Sequence, residues 1–146
     1  MPAAEDEQTA KARTGWLQFE AFGRPIPQPR SRSKGSQRPY VTEDHPVQTW
    51  KKIVWAACHE QIVRKGYPKP CFVGDVYIRC VIRGAHHSAD LDNLYKAITD
   101  ALKGTAYKDD RQISHMEFIR APVDEFEAGV FIRMSGEIAE ILAGGG

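Results

Sequence analysis

The chain has 146 residues, of which 42% are hydrophobic, so it has the length of one domain and the composition for a modest core. Its net charge of +1 favours no class of partner, and no run approaches the roughly eighteen apolar residues of a membrane span. Three cysteines without C-x-x-C spacing argue against a disulfide framework or a zinc site, and favour reduced thiols in a cytoplasmic protein.

The first half of the chain predicts one strand, one loop and one helix. Residues 1–14 lack a periodic apolar stripe, so we expect a disordered tail there. Residues 16–22 alternate between apolar and polar, which predicts a strand. The prolines of residues 23–36 predict an extended loop. A helix is expected over 46–65, with proline at its first position and glycine directly after its end.

The second half predicts three more strands and an amphipathic helix. We expect strands over 73–83, 112–120 and 127–134, a helix over 91–102, and a short terminal helix over 136–142. The order β-α-β-α-β-β predicts an α+β fold, in which helices pack on a small mixed sheet. A single domain is expected over 15–142, followed by a flexible glycine-rich tail over 143–146.

Two acidic clusters and a lysine fall within one short window. If Asp90 is the N-cap of the predicted helix and Asp92 lies in its first turn, both carboxylates can converge on one point. Lys96 follows one turn later, and Asp110 lies at a loop-to-strand junction from which it can return toward the helix start. Gathered carboxylates are usually neutralised by a divalent cation. The pattern therefore predicts Asp90, Asp92 and Asp110 as Mg²⁺ ligands, with Lys96 beside them.

A structural interpretation of the same residues is also open. Asp90 can be only a helix cap, Asp92 and Lys96 only a surface pair contributing roughly 0.3 kcal/mol, and Asp109 and Asp110 only a turn. Spacing alone does not separate the two interpretations. Five basic residues and no acidic one between Arg24 and Arg38 favour a site, because a basic stretch beside an acidic cluster suits an enzyme acting on a polyanion.

Aromatic residues give weaker indications. Trp16, Trp50 and Trp55 are better explained by packing in the core or in a dimer than by stacking on bases. Tyr107 and Phe126 are candidates for a wedge at a DNA branch point, although nothing in the sequence selects them.

The acidic window resembles the signature of one nuclease family. Residues 90–104, followed by 107–113, closely resemble the pattern D-x-D-N-x-x-K-x-x-x-D-x-L-(N/T)-G…D-D-x-Q-(I/V) of the RusA-type Holliday junction resolvases. Residues 23–30 resemble the family's Pro/Arg loop after its first strand, and the element order agrees over about 16–134. Lys103 departs from the pattern, because asparagine or threonine is more usual there.

The resemblance implies a homodimeric, Mg²⁺-dependent endodeoxyribonuclease, with Mn²⁺ as the alternative metal, that resolves four-way DNA junctions by paired symmetric cuts. It implies phage or prophage origin, action in recombination and repair in the bacterial cytoplasm, and neither a membrane nor a small-molecule cofactor. The alternatives are a nuclease for forks or flaps, or a non-catalytic DNA-binding scaffold.

Matching positions assign roles to individual residues. The resemblance makes Asp90, Asp92 and Asp110 the metal-binding and catalytic aspartates and Lys96 the essential lysine. Supporting roles fall to Asn93, Asp100 and Asp109. Candidates for contacts with DNA phosphates are Arg24, Arg30, Arg32, Lys34, Arg38, Lys51 and Lys52.

Overall fold

The computed structural model describes residues 11–29, 45–121 and 127–140. The elements follow the predicted order β-α-β-α-β-β, which confirms the α+β class. They are β1 (Lys11–Phe22), α1 (Pro46–Lys65), β2 (Phe72–Arg83), α2 (Leu91–Leu102), β3 (Ile113–Arg120) and β4 (Gly129–Glu140). A 3-10 turn, Asp110–Gln112, immediately precedes β3.

The four strands form one mixed sheet in the order β1-β4-β2-β3. β4 pairs antiparallel with both β1 and β2, whereas β2 and β3 are parallel. A parallel pair requires a crossover connection, and α2 provides it. The helix therefore carries the chain from the end of β2 back to the start of β3, so that Asp90 begins this crossover and Asp110 ends it.

Both helices contribute to one core on a single face of the sheet. Their apolar stripes meet alternate strand residues that are buried. Buried strand residues include Leu17, Phe19, Ala21, Val76, Ile78, Cys80, Ile82, Val130, Ile132 and Met134. α1 ends at Gly66, whose left-handed conformation (φ 69°) lets its N–H reach the last carbonyls of the helix.

Two predicted boundaries are wrong. β1 begins at Lys11, inside the segment expected to be a disordered tail, and the expected terminal helix over 136–142 is strand as far as Glu140. The two errors have one cause. Residues 11–15 and 136–140 pair with each other in the antiparallel ladder, from Lys11 opposite Glu140 to Gly15 opposite Gly136. Backbone pairing between distant segments overrides the weak local propensity of each.

The cysteines are free and buried, as expected for reduced thiols. Trp50 is 2% exposed and belongs to the core, but Trp16 and Trp55 are 49% and 40% exposed, so core packing is wrong for these two in the single chain. Tyr107 is fully buried, which removes it as a branch-point wedge, and Phe126 lies outside the described residues. Neither described helix is long and apolar enough to cross a bilayer.

Candidate active site

A cleft of about 530 Å³ lies between α2 and β3. One exposed edge of α2 forms one wall, and the 3-10 turn with the first half of β3 forms the other. The lining residues are Asp92, Tyr95, Lys96, Thr99, Asp110 and residues 113–116. The cleft thus brings together two of the three predicted metal ligands and the predicted lysine.

The N-terminus of α2 is capped by an aspartate and carries a second one in its first turn. Asp90 is the N-cap, and its Oδ1 accepts a hydrogen bond from the Asp92 N–H at 3.1 Å. Asp92 lies in the first turn and is exposed. Lys96 is exposed one turn along the same edge, and none of the ion pairs among the described residues joins it to Asp92. Both charges therefore remain available to a ligand.

Asp109, the N-cap of the 3-10 turn, and Asp110, its first residue, have different roles. The Asp109 carboxylate accepts hydrogen bonds from the Arg111 N–H at 2.9 Å and from the Arg111 guanidinium at 3.2 and 2.9 Å. These hydrogen bonds lower the pKa of Asp109 to about 2. Asp109 thus stabilises the turn, while Asp110 is exposed and faces the cleft.

Gln112 fixes this turn to the sheet. Its Oε1 accepts hydrogen bonds from the N–H groups of Lys108 and Asp109, at 2.9 and 3.1 Å. Its Nε2 donates to the carbonyls of Phe72 and Gly74, both at 3.0 Å. In the sequence, Gln112 was identified only as a position of the family motif. The spacing D-x-x-Q at a helix start is that of a capping box, and this signal was sufficient to find it.

Two tyrosines, Tyr95 and Tyr107, lie near Asp110 on the core side of the cleft. Burial raises the pKa of Tyr95 to about 12, with contributions from Cys80 and Asp110, so its phenol is neutral where it lines the cleft. Tyr107 donates its O–H to the Thr99 carbonyl at 2.7 Å, and burial raises its pKa as well. Tyr95 therefore offers a hydrogen-bond donor to the cleft, and Tyr107 holds the end of α2 in place.

The donor set of the cleft suits a hard divalent cation. Mg²⁺ is commonly held by one or two carboxylates and keeps several waters, and Asp92 and Asp110 supply such a pair. Among the described residues, no group of three or more His, Cys, Asp or Glu side chains is arranged to hold a metal ion. Asp90 does not line the cleft, so its role as a third ligand stays a prediction.

The other predicted residues fall in three groups. The backbone carbonyl of Asn93 accepts a hydrogen bond from the backbone N–H of Gln28 at 2.8 Å, which ties the proline-rich segment to the start of α2. Asp100 pairs with Lys51 at 3.9 Å, and Arg24 and Lys52 are exposed. The remaining predicted phosphate contacts, namely Arg30, Arg32, Lys34 and Arg38, lie outside the described residues.

A cleft that presents carboxylates and a lysine to solvent is what a metal-dependent phosphodiester hydrolase needs. The pattern of the family described as endodeoxyribonuclease RusA matches residues 23–135, and the chain belongs to this family. The family comprises nucleases that act on branched DNA junctions and are generally metal-dependent. No curated protein matches the chain significantly.

Proposed function

We propose that this protein is a Mg²⁺-dependent endonuclease, with Mn²⁺ as the alternative metal, that resolves four-way DNA junctions by paired symmetric cuts. The observation that carries the proposal is the meeting of Asp92, Asp110 and Lys96 in one open cleft. Membership of a nuclease family that acts on branched DNA supports the reaction class and the substrate class.

In this proposal, the residues of the cleft have different roles in phosphodiester hydrolysis. Asp92 and Asp110 would hold the metal, with Asp90 as the predicted third ligand. When bound, Mg²⁺ supplies a water of lowered pKa and draws charge from the scissile phosphate. Lys96 neutralises a non-bridging phosphate oxygen, whose charge grows during the reaction. Tyr95 lines the cleft and would offer its O–H there as a hydrogen-bond donor.

A symmetric pair of cuts requires two active sites related by a two-fold axis, so we propose a homodimer. Sedimentation equilibrium across a range of protein concentrations tests this: a mass of twice the single chain supports the dimer. A monomer at the concentrations where junctions are cut would contradict it.

We further propose action in phage or prophage recombination and repair, within the bacterial cytoplasm. The buried free thiols support this location, because a reducing compartment keeps them unpaired. The phage context is supported by the resemblance of the acidic window to RusA-type resolvases.

The decisive experiment compares DNA structures. A labelled four-way junction, a replication fork, a flap and a linear duplex are each incubated with the protein in Mg²⁺ and in EDTA. Symmetric paired nicks in the junction alone, lost in EDTA, support a resolvase. Preferred cutting of forks or flaps would replace it with a broader branched-DNA nuclease. Binding without cutting would favour the non-catalytic scaffold.

A further inference from the structure

A cluster of aromatic and basic side chains lies between α1 and the chain that follows α2. Trp55, His59 and Lys69 form its centre. The Trp55 and His59 rings stack with centroids 4.8 Å apart. The Lys69 Nζ lies 3.2 Å from His59 Nδ1 and 5.7 Å from the centroid of Trp55. The cluster is therefore ordered, although Trp55 is 40% exposed and Lys69 is exposed.

The cluster is fixed to the elements that build the cleft. Trp55 Nε1 donates to Thr105 Oγ1 at 2.9 Å, and Lys51, one turn earlier on α1, pairs with Asp100 of α2 at 3.9 Å. Lys51, Trp55 and His59 thus form an i, i+4, i+8 stripe that faces α2. We call the surface formed by Lys51, Trp55, His59, Lys69 and Lys103 the basic seam.

The exposed edge of α2 leads from the cleft toward the basic seam. Asp92, Lys96 and Lys103 lie along one edge of α2, since their spacings of four and seven residues bring them to the same side of a helix. Lys103 is exposed and its backbone bridges to Tyr107, in the connection that leads to Asp110. A ligand that leaves the cleft along this edge runs toward Lys103 and Thr105, and Thr105 accepts the hydrogen bond from Trp55.

The charge of the basic seam selects the ligand. Of the neighbouring carboxylates, Asp100 is paired with Lys51, Glu60 with Arg64, and Asp109, which lies near Lys103, with Arg111, at 3.9, 2.8 and 2.9 Å. Lys69 and Lys103 are left as exposed cations with an aromatic ring between α1 and α2. Spaced lysines around an exposed ring suit a phosphodiester backbone, whose phosphates take the charges while its sugars contact the ring.

We propose that the basic seam binds the phosphate backbone of the duplex arm that leaves the active cleft. The proposal rests on the proposed function, because it takes branched DNA as the substrate. It adds Trp55, Lys69 and Lys103 to the DNA-binding surface, and it gives the arm a direction: from the cleft across the exposed edge of α2 to α1.

Salt dependence of binding tests the contacts one by one. Junction binding is measured by fluorescence anisotropy in EDTA, between low and moderate salt, for the wild type and for Lys69→Gln, Lys103→Gln and the double variant. Each neutralised phosphate contributes about 0.9 to the slope of log affinity against log salt, so each single variant should lower the slope by about 0.9 and the double variant by about 1.8. Arg133→Gln is the matched control, because Arg133 is exposed on β4, between the buried Ile132 and Met134, and so lies on the face of the sheet away from the helices.

A second readout follows the aromatic ring. Binding of DNA should quench tryptophan fluorescence in the wild type and in Trp16→Phe, and the quench should be lost in Trp55→Phe. Trp16 is the control because it lies on β1, at the sheet edge opposite β3 and the cleft. The phenylalanine keeps an aromatic ring against His59, although it loses the hydrogen bond that Trp55 Nε1 donates to Thr105.

The outcomes separate this proposal from the proposed function. Unchanged slopes for Lys69→Gln and Lys103→Gln in a wild type that cuts junctions would overturn the basic seam and leave the nuclease intact. An equal loss of slope in Arg133→Gln would also overturn it, because the effect would then be spread over the surface. Lowered slopes in a protein that binds junctions but never cuts them would support the seam and contradict the nuclease.

Discussion

At the residue scale, substitution of Asp92 tests the assignment of the active site. Asp92→Asn keeps the shape of the side chain and removes its charge, so cleavage should fall by roughly a hundredfold or more. Junction binding should be unchanged or tighter, because a negative charge facing the phosphates is gone. Gel assays of cleavage in Mg²⁺ and of binding in EDTA measure the two effects.

The control for this variant is Asp75→Asn, because Asp75 is an exposed carboxylate on β2 that does not line the cleft. It should cut at the wild-type rate. Cleavage by Asp92→Asn at the wild-type rate would show that the assignment of Asp92 is wrong.

Asp109 gives a prediction about pH. Its folded-state pKa of about 2 lies below the ordinary value of 3.8, chiefly because of the hydrogen bonds from Arg111. The stabilisation is therefore complete above the ordinary pKa and is lost as the pH falls from about 4 towards 2. Urea unfolding in EDTA should show Asp109→Asn less stable than the wild type at pH 6, with the difference shrinking at lower pH. Carboxyl NMR titration of Arg111→Gln should show the pKa of Asp109 moving back up; an unmoved pKa would contradict the role of Arg111.

At the element scale, the attachment of the 3-10 turn depends on one carboxamide. Gln112→Met removes four hydrogen bonds at similar side-chain volume, and a net contribution of about 0.5–1.5 kcal/mol for each bond predicts a loss of roughly 2–6 kcal/mol. Because the turn carries Asp110, cleavage should fall as well. Denaturant unfolding measures the stability, and the dependence of cleavage on Mg²⁺ concentration should shift to higher metal.

Gln61→Met is the control, since the Gln61 side chain accepts one hydrogen bond, from the Gln18 N–H at 2.8 Å. Its loss of stability should be about 1 kcal/mol or less, with cleavage unchanged. Equal stability and equal metal dependence in Gln112→Met and Gln61→Met would remove Gln112 as a positioning residue.

At the scale of the whole molecule, the three thiols report on the integrity of the core. Burial raises the pKa of Cys58 and of Cys71 to about 12 and raises that of Cys80 too, so none is a thiolate at neutral pH. A thiol reagent should therefore react with the native protein only through unfolding, and all three cysteines should react together in denaturant. Rapid reaction of one thiol in the native protein would show that the core opens locally at that residue.

The sequence by itself determined the elements whose pattern is local. α1 and α2 have the predicted bounds because a proline, a glycine and an acidic N-cap mark their ends, and periodicity marked the buried face of α2. The acidic window likewise indicated Asp92, Lys96 and Asp110, which the cleft unites. The helix N-cap at Asp90 was also predictable, because an aspartate directly before an apolar stripe is a local signal.

The tertiary structure alone decided what depends on contacts between distant segments. The pairing of β1 with β4 turned an expected tail and an expected helix into strand, since each segment supplies the hydrogen-bond partners of the other. The parallel pairing of β2 with β3, which α2 connects, brought Asp110 back to the cleft that Asp92 and Lys96 line. Spacing along the chain does not fix this pairing. The same packing set Trp55 against Thr105, with Lys69 over the Trp55 ring, because α1 lies against α2 only in the folded protein.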